Sequence, residues 1–227
     1  MSRSVPSRVV VDGAVVRRRV GPWTAGVHDL LERLAAAGFD GAPRIVGLGP
    51  DYEVVSWVPG TVGERPLTEA VRSDAALASV ARLLRRFHDA ARGMCHGDIG
   101  PWNVVFEGTE AVGLIDWDLS GAGSWWDDVA AAIWHFAPLY DDAECVRVGW
   151  PSPPDRVARV RIFLAAYGRS LDGEALRRVI EQRQASYLAA VRAAHADPTA
   201  PGAEPWLKVD PGLVERDMAF LEQVALP

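Results

Sequence analysis

Short valine-rich runs dominate the first 60 residues, whereas longer stretches with hydrophobic residues at helical spacing dominate the rest of the chain. The first two runs flank the dipeptide Asp12-Gly13, which readily forms the tight turn of a β-hairpin. Two more apolar runs follow before Pro59-Gly60. The predicted strands are residues 8–12, 14–20, 45–48 and 53–58.

One amphipathic helix is predicted between the second and the third of these strands. Thr24 can cap its start, and Gly38 can end it. Its leucines are spaced so that they share one side of the helix. A small antiparallel sheet with one helix therefore accounts for residues 1–60.

Residues 61–227 are predicted to be mainly helical. Pro59-Gly60 ends the small sheet, and residues 61–66 have the composition of a linker. Helical spacing then leads up to Gly93, and a short apolar run at 112–115 predicts one strand. Further helices are predicted at residues 129–136, 155–167, 173–194 and 211–224. The fold class is α+β, divided into residues 1–60 and 61–227.

The composition is that of a globular protein, with 49% hydrophobic and 24% charged residues in a chain of 227. The net charge of −6 argues against nucleic acid as a partner. Cys95 and Cys145 are too few for a disulfide framework or a structural zinc site. No apolar run is long enough to span a bilayer, and residues 1–8 lack the apolar core of a secretory signal. A cytoplasmic protein with no membrane partner is expected.

Two stretches carry the residue types needed for phosphoryl transfer from a magnesium nucleotide. Asp98, in a tight loop after His96 and Gly97, can accept or orient the proton of a hydroxyl nucleophile. Asn103 comes five residues later, and Asp116 follows the apolar run at 112–115. Amide and carboxylate oxygens are suitable ligands for Mg²⁺.

Each part taken alone has a simpler explanation. His-Gly-Asp occurs in ordinary turns, because glycine allows positive φ and aspartate bonds to its own backbone. An aspartate after an apolar run often marks only the end of a strand. The joint occurrence of Asp98, Asn103 and Asp116 in this order favours a nucleotide and metal site.

A family resemblance rests on two motifs, His96-Gly97-Asp98 with Asn103 and Ile115-Asp116-Trp117-Asp118. They are similar to the catalytic and metal loops of the aminoglycoside phosphotransferase family, the small-molecule branch of the protein-kinase-like fold. The resemblance covers residues 9–136 and extends loosely to the later helices. It implies a two-lobe fold, ATP and Mg²⁺ as cofactors, and transfer of the γ-phosphoryl group to a hydroxyl of a small molecule. It further implies that Asp98 is the catalytic base, that His96 supports its loop, and that Asn103 and Asp116 bind the metal.

The same resemblance implies two supporting features. Asp128 is similar to the acid that opens a helix and braces the catalytic loop by accepting backbone N–H bonds, with Asp127 as the alternative. The chain segment that joins the lobes binds the adenine edge in this fold. By position, Ser56, Trp57 and Val58 would lie there, although Trp57 would serve equally well as a core aromatic.

The nucleotide-binding part departs from the family pattern. The only lysine is Lys208, so an arginine of the matching strand must bind the phosphates, and Arg17 is the predicted residue. Val27 stands where the family often has the glutamate partner, which leaves Asp29 as the nearest acid. Only eight residues precede Val9, and they contain no glycine. A shortened or absent glycine-rich lid is therefore expected.

Two functional hypotheses from different classes remain, a small-molecule kinase and a pseudokinase-type binding protein. The intact Asp98, Asn103 and Asp116 favour the kinase, whereas the missing lid and lysine favour the binding protein. Metal-dependent phosphoester hydrolysis would need more histidines near these loops. The acceptor pocket is expected beside Asp118, with an aromatic wall of Trp125, Trp126 and Trp150 and an anionic edge of Asp141, Asp142 and Glu144. Buried tryptophans and surface acids explain the same residues without a substrate.

Overall fold

The computed structural model describes residues 9–200 and 202–227. The expectation of a shortened glycine-rich lid concerns residues 1–8, which lie outside the described residues. Within the described part, no helix is long and apolar enough to cross a membrane.

The predicted hairpin and its two companion strands form one antiparallel sheet in the order β1-β2-β4-β3. Gly13 takes a φ of +60° in the turn between the first two strands, as the hairpin requires. The strands are β1 Val9–Asp12, β2 Val15–Arg19, β3 Ile45–Leu48 and β4 Tyr52–Ser56.

Helix α1, Thr24–Ala36, lies between β2 and β3 and buries its leucine-rich side. Thr24 is the first helical residue and Trp23 is the N-cap, which corrects the predicted capping role of Thr24. The Thr24 hydroxyl instead accepts a hydrogen bond from the Gly21 N–H at 2.9 Å.

The rest of the chain is mainly helical, as predicted, but it contains more short strands than the sequence indicated. Strands β5 Thr61–Val62, β7 Val104–Glu107 and β8 Glu110–Leu114 form a second sheet, and β6 Met94–Cys95 pairs with β9 Gly121–Ala122. Two-residue strands carry no recognisable period, so only their partners in space define them.

The longer helices agree with the predicted positions to within a few residues, and the short α2 and α5 were not predicted. The helices are α2 Glu69–Arg72, α3 Asp74–Ala90, α4 Trp125–Phe136, α5 Asp142–Arg147, α6 Arg156–Tyr167, α7 Gly173–Ala196 and α8 Pro211–Leu221. The main core lies where α3 packs against α6 and β8, and where α4 packs against α7. The buried Phe87 and Trp117 meet edge to face there, with their ring centroids 5.0 Å apart. The chain is α+β as predicted, while the division at residue 60 stays a prediction.

Candidate active site

The loop of residues 96–103, called the Asp98 loop from here on, turns sharply at Gly97 directly after β6. Gly97 has a φ of +84°, a conformation that other residues rarely adopt. A Cβ at this position would lie 2.3 Å from the carbonyl oxygen of Leu119. Only glycine therefore lets the Asp98 loop approach residues 115–119, called the Asp116 loop.

The carboxylate of Asp128 holds the Asp98 loop by its backbone. It accepts hydrogen bonds from the His96 N–H at 2.7 Å and from the Gly97 N–H at 2.9 Å. His88 Nε2 lies 3.1 Å from the same carboxylate, and His88 Nδ1 lies 2.8 Å from the Tyr167 hydroxyl. Asp128 therefore makes contacts of the kind that the resemblance implied, and His88 is a buried partner of this carboxylate.

The environment of Asp128 keeps it ionised despite complete burial. Burial by itself would raise the pKa of this carboxyl group, but the hydrogen bond from His88, the nearby imidazoles and the His96 backbone bond together lower the pKa below its usual value. An ionised carboxylate can accept all three hydrogen bonds at once. Asp127, the alternative brace, is only partly buried one residue earlier in the first turn of α4.

Asp98 is held by the two side chains that follow it in the loop. Its Oδ2 accepts hydrogen bonds from Asn103 Nδ2 at 2.8 Å and from Trp102 Nε1 at 3.3 Å. Asn103 Nδ2 also donates to the Asp98 carbonyl at 2.9 Å, which fixes the amide plane. Burial raises the pKa of Asp98, and the proximity of His96 and the bond from Trp102 partly offset that rise. A carboxylate with a raised pKa is better suited to accept a proton than an ordinary aspartate.

His96 joins the two loops as a neutral imidazole. Its Nδ1 accepts from the Asp98 N–H at 3.4 Å, so the ring proton resides on Nε2, which donates to the Ile115 carbonyl at 3.0 Å. Its ring packs on Trp117 with centroids 4.6 Å apart. Burial is the main cause that lowers the pKa of His96. Both ring nitrogens are used within the protein, which supports a scaffold role and leaves none for a metal.

Asp116 lies at the end of β8, on the loop next to Asn103. The Ile115 N–H donates to the Asn103 carbonyl at 3.0 Å, so the two loops are bonded to each other. Asp116 has a φ of +61°, a strained conformation of the kind often found at functional sites. Its side chain is 58% exposed, and its carboxylate is therefore accessible from solvent. The donor set of one carboxylate and one amide oxygen on adjoining loops fits Mg²⁺, which prefers such oxygens and keeps several waters.

A basic residue reaches the Asp116 loop from strand β2, and that residue is Arg18. Its Nε lies 2.8 Å from Glu53 Oε1, and its Nη1 lies 2.7 Å from Asp118 Oδ1 and 3.8 Å from Asp116 Oδ1. Glu53 is fully buried on β4 and meets His28 Nε2, of helix α1, at 2.5 Å. Glu53 thus takes the place predicted for an acid of the helix.

Arg17, the predicted phosphate anchor, lies on the other face of the sheet. Its guanidinium stacks over the ring of Tyr52 at 3.6 Å, and Arg17 does not line the cavity described below. Side chains alternate between the two faces of a strand, so Arg18 shares the inner face with Val16. Residues 18 and 53 are directly opposite each other in the β2–β4 register. The register therefore corrects the prediction that Arg17 binds the phosphates. Asp29, the nearest acid of α1, is exposed.

A cavity of about 890 Å³ opens between the small sheet and the two loops. Arg18, Asn103, Asp116 and Asp118 line one part of it, and the predicted adenine-binding residues line another, namely Ser56, Trp57 and Val58. The size is that of an ordinary small-molecule site. Trp57 is 42% exposed, so it is not a core residue.

Backbone hydrogen bonds within the protein occupy two of the N–H groups of residues 56–58. The Ser56 N–H donates to the Arg44 carbonyl and the Trp57 N–H to the Ala14 carbonyl, each at 2.8 Å. These two N–H groups are therefore committed to the protein. Val58 is the next residue on the cavity wall, where the strand has already ended.

The structure does not bring the predicted aromatic wall to the cavity. Trp125 and Trp126 stack on each other with centroids 5.0 Å apart and pack near Tyr167, while Arg169 covers Trp125 at 4.1 Å. They do not line this cavity, and their place in an acceptor pocket stays a prediction. Asp118, predicted with them, does line the cavity.

Other residues of the expected acceptor pocket are also engaged elsewhere. Trp150 is buried under Arg159 at 4.7 Å. Glu144 bonds to Arg147 through both oxygens, at 2.5 Å each. Packing accounts for Trp150, and an ion pair accounts for the buried Glu144, without a substrate.

Sequence reasoning missed Arg183, which comes from the middle of α7. Its Nη2 donates to the Gly97 carbonyl at 2.6 Å, so a helix far along the chain supports the Asp98 loop. No short-range pattern could have indicated a contact across 86 residues. The pairing of Arg18 with Glu53 had a usable signal, because strand alternation places Arg18 on the face of Val16.

Comparison with known proteins finds a matching family model and a curated relative. Residues 89–181 match the model of the phosphotransferase enzyme family. The trifolitoxin immunity protein of Rhizobium leguminosarum bv. trifolii is 36% identical over 185 residues, covering 70% of this chain and 69% of that protein.

Solved structures show the same fold at low sequence identity. A choline/ethanolamine kinase family protein from Mesorhizobium loti superposes with a TM-score of 0.62 at 14% identity, over 94% of this chain and 84% of that one. The complex of APH(2″)-IIa with streptomycin and ATP superposes with a TM-score of 0.53 at 11% identity, over 93% and 91%. Three findings agree. A family model matches the segment that contains both loops, a relative exceeds 30% identity, and the fold is kinase-like. The chain belongs to the phosphotransferase enzyme family and has the protein-kinase-like fold.

Proposed function

We propose that this chain is an ATP-dependent phosphotransferase that moves the γ-phosphoryl group to a hydroxyl of a small molecule in the cytoplasm. The observation that supports this most is the arrangement of Asp98, Asn103 and Asp116 on two loops bonded to each other. These are the groups that orient a hydroxyl and bind the metal of a nucleotide. A structural neighbour binds ATP, which supports the choice of nucleotide.

Asp98 is the proposed catalytic residue. Trp102 and Asn103 both donate to its Oδ2 and thereby fix the carboxylate, so that Oδ1 can meet the acceptor hydroxyl. Its raised pKa favours proton acceptance as the hydroxyl attacks. The brace at Asp128 and the bond from Arg183 hold the backbone on either side of Gly97 in place. Such positioning removes much of the entropic barrier of a two-substrate reaction.

Asn103 and Asp116 are the proposed ligands of Mg²⁺, and Arg18 is the proposed contact of the phosphates. When bound, Mg²⁺ would neutralise charge on the transferring phosphoryl group. A planar guanidinium can bind phosphate oxygens in pairs. The Val58 backbone is the proposed contact of the adenine edge, since the Ser56 and Trp57 N–H groups bond within the protein.

Substitution of Asp98 separates catalysis from binding. Asp98→Asn should keep Mg²⁺-ATP affinity within a few-fold and lose about 10²- to 10⁴-fold in transfer rate, the usual contribution of a general base. Transfer from labelled ATP and nucleotide affinity would be measured on the same samples. Transfer by the variant at the wild-type rate would refute the role of Asp98.

A nucleotide-binding protein without turnover is the second candidate function, and the state of Arg18 favours it. Arg18 already pairs with the acids Glu53 and Asp118 at 2.8 and 2.7 Å. Phosphates would have to compete with these carboxylates, which would leave the γ-phosphoryl group poorly placed for transfer. ATP binding without transfer to any of a broad panel of hydroxyl compounds would support this candidate.

The immunity relative suggests a biological setting for either function. We infer that the acceptor or ligand is a toxin-like compound against which the chain protects its cell, as the name of the relative indicates for trifolitoxin. Phosphorylation of a hydroxyl would add negative charge to such a compound and so change its binding to a target.

A further inference from the structure

Aromatic rings and guanidinium groups lie beside Asp98 and its partner Trp102. Trp102 bonds to the Asp98 carboxylate, and its ring meets that of His135 with centroids 4.8 Å apart. Arg65 lies near the same ring, 5.7 Å from the Trp102 centroid. Arg65, Trp102 and His135, together with Arg183 and Tyr187 described next, are called the Trp102 wall. Arg65 and Trp102 also line the large cavity, so the wall is continuous with the nucleotide site.

Arg183 closes the second side of this region. Its guanidinium lies 5.8 Å from the ring centroid of Tyr187, one helical turn further along α7. The charges of Arg65 and Arg183 both act on His135 and on Tyr187. Two cations from distant parts of the chain therefore converge on one group of aromatic residues beside Asp98.

The neighbouring acids Glu144 and Asp217 offset this positive charge only in part. Glu144 lies 3.6 Å from Arg65, but it is already bonded through both oxygens to Arg147. Asp217 is buried and bonded to Trp134 at 2.9 Å, and burial raises its pKa to about 7. The face is therefore more cationic than a count of nearby carboxyl groups indicates.

Two polar atoms of this wall are buried without a partner. Among the described residues, Arg183 Nε and His135 Nδ1 find no hydrogen-bond partner. His135 is only 9% exposed. Buried polar groups in native proteins are nearly always satisfied, so a bound molecule or an ordered water is the expected partner of these two atoms.

We propose that the acceptor is a hydroxyl compound with an anionic group, such as a carboxylate, that binds between Arg65 and Arg183 against the ring of Trp102. The inference rests on the proposed function, because it assigns the substrate of the same site. Arginine is the side chain best suited to a planar carboxylate, which it can bind through two parallel hydrogen bonds. A polycation such as streptomycin, which a structural neighbour binds, would meet repulsion from both arginines.

Matched acceptor pairs test this charge preference directly. The probes are N-acetyl-serine, N-acetyl-threonine and 4-hydroxyphenylacetate, each with its uncharged amide, and streptomycin as the cationic probe. Binding to the full chain with Mg²⁺-ADP would be measured by saturation-transfer NMR and competition. At least one carboxylate should bind about tenfold more tightly than its amide, a difference of about 1.4 kcal/mol.

Arginine variants assign the preference to this wall. Arg65→Gln and Arg183→Gln should each reduce the preference to threefold or less, and two variants guard against a folding defect in one of them. Arg82→Gln is the matched control, because Arg82 is an exposed arginine that pairs with Glu110 at 3.6 Å on another surface. The control should keep the full preference.

The possible results separate the inference from the proposed function. Equal binding of acid and amide, no binding of any carboxylate, or tighter binding of streptomycin overturns the anionic acceptor, whatever the nucleotide result. A preference that survives in both arginine variants also overturns it. Loss of Mg²⁺-dependent ATP binding in the wild type would instead count against the proposed function.

Discussion

Replacing Asp128 with asparagine should loosen the Asp98 loop and destabilise the whole protein. Asp128 Oδ2 accepts from the His96 N–H and lies 3.1 Å from His88 Nε2, while Oδ1 accepts from the Gly97 N–H. An asparagine amide has one oxygen and one nitrogen in these places. Its better orientation keeps the oxygen towards His96 and His88 and turns the NH₂ group towards the Gly97 N–H, where two donors face each other.

The size of the effect follows from that lost acceptor. A buried N–H left without a partner costs about 1–3 kcal/mol. For a chain of this size, each kcal/mol lowers the melting temperature by about 2–4 °C, so a fall of roughly 2–12 °C is expected. Transfer activity should fall as well, because the Gly97 N–H loses its acceptor and the Asp98 loop is held less firmly.

Thermal melting and amide hydrogen exchange measure these effects separately. The matched control is Asp127→Asn, which changes the neighbouring and only partly buried acid of the same helical turn. It should melt within about 2 °C of the wild type, since surface substitutions usually change stability by less than about 0.5 kcal/mol. Faster exchange of the Gly97 amide is expected only in the Asp128 variant. The reasoning would be refuted if both variants melted alike or if the Gly97 amide stayed protected.

Three further predictions concern the nucleotide, the metal and pH. Arg18→Gln should weaken the binding of ATP about tenfold or more and that of adenosine little, as measured by calorimetric titration. Arg17→Gln, on the opposite face of the sheet, should leave the affinity for both ligands unchanged. Equal losses of affinity for ATP and adenosine in the Arg18 variant would exclude a phosphate contact. Asp116→Asn should abolish the Mg²⁺ dependence of ATP binding while its thermal melt stays close to that of the wild type, and equal Mg²⁺-ATP affinity in both proteins would reject the ligand assignment. Burial raises the pKa of Asp217 from 3.8 to about 7, so the folded state holds this proton more tightly than the unfolded state does. The contribution of Asp217 to the free energy of unfolding should therefore fall as the pH rises from about 4 to about 7. Denaturant unfolding should show Asp217→Asn more stable than the wild type by up to about 4 kcal/mol at pH 8 and equal to it near pH 4, and parallel pH profiles would contradict this.

The sequence by itself determined the parts that depend on neighbours along the chain. We could predict the Asp12-Gly13 hairpin and the longer helices, because turn geometry and helical period are set by residues a few positions apart. The order of Asp98, Asn103 and Asp116 is read directly from the sequence. The family resemblance of two short motifs added the nucleotide and the metal as expectations. Asp128 was assigned from its motif, and the structure shows its two backbone contacts.

Only the tertiary structure decided which residues meet across long separations. The β2–β4 register placed Arg18, not Arg17, opposite Glu53, because a shift of one residue turns each side chain to the other face of a sheet. Helix packing brought Arg183 to Gly97 and moved Trp125 away from the cavity. Such contacts depend on how whole elements pack, and a local pattern carries no information about the partner. The sequence therefore indicated the candidate reacting groups, and packing determined the charges that surround them.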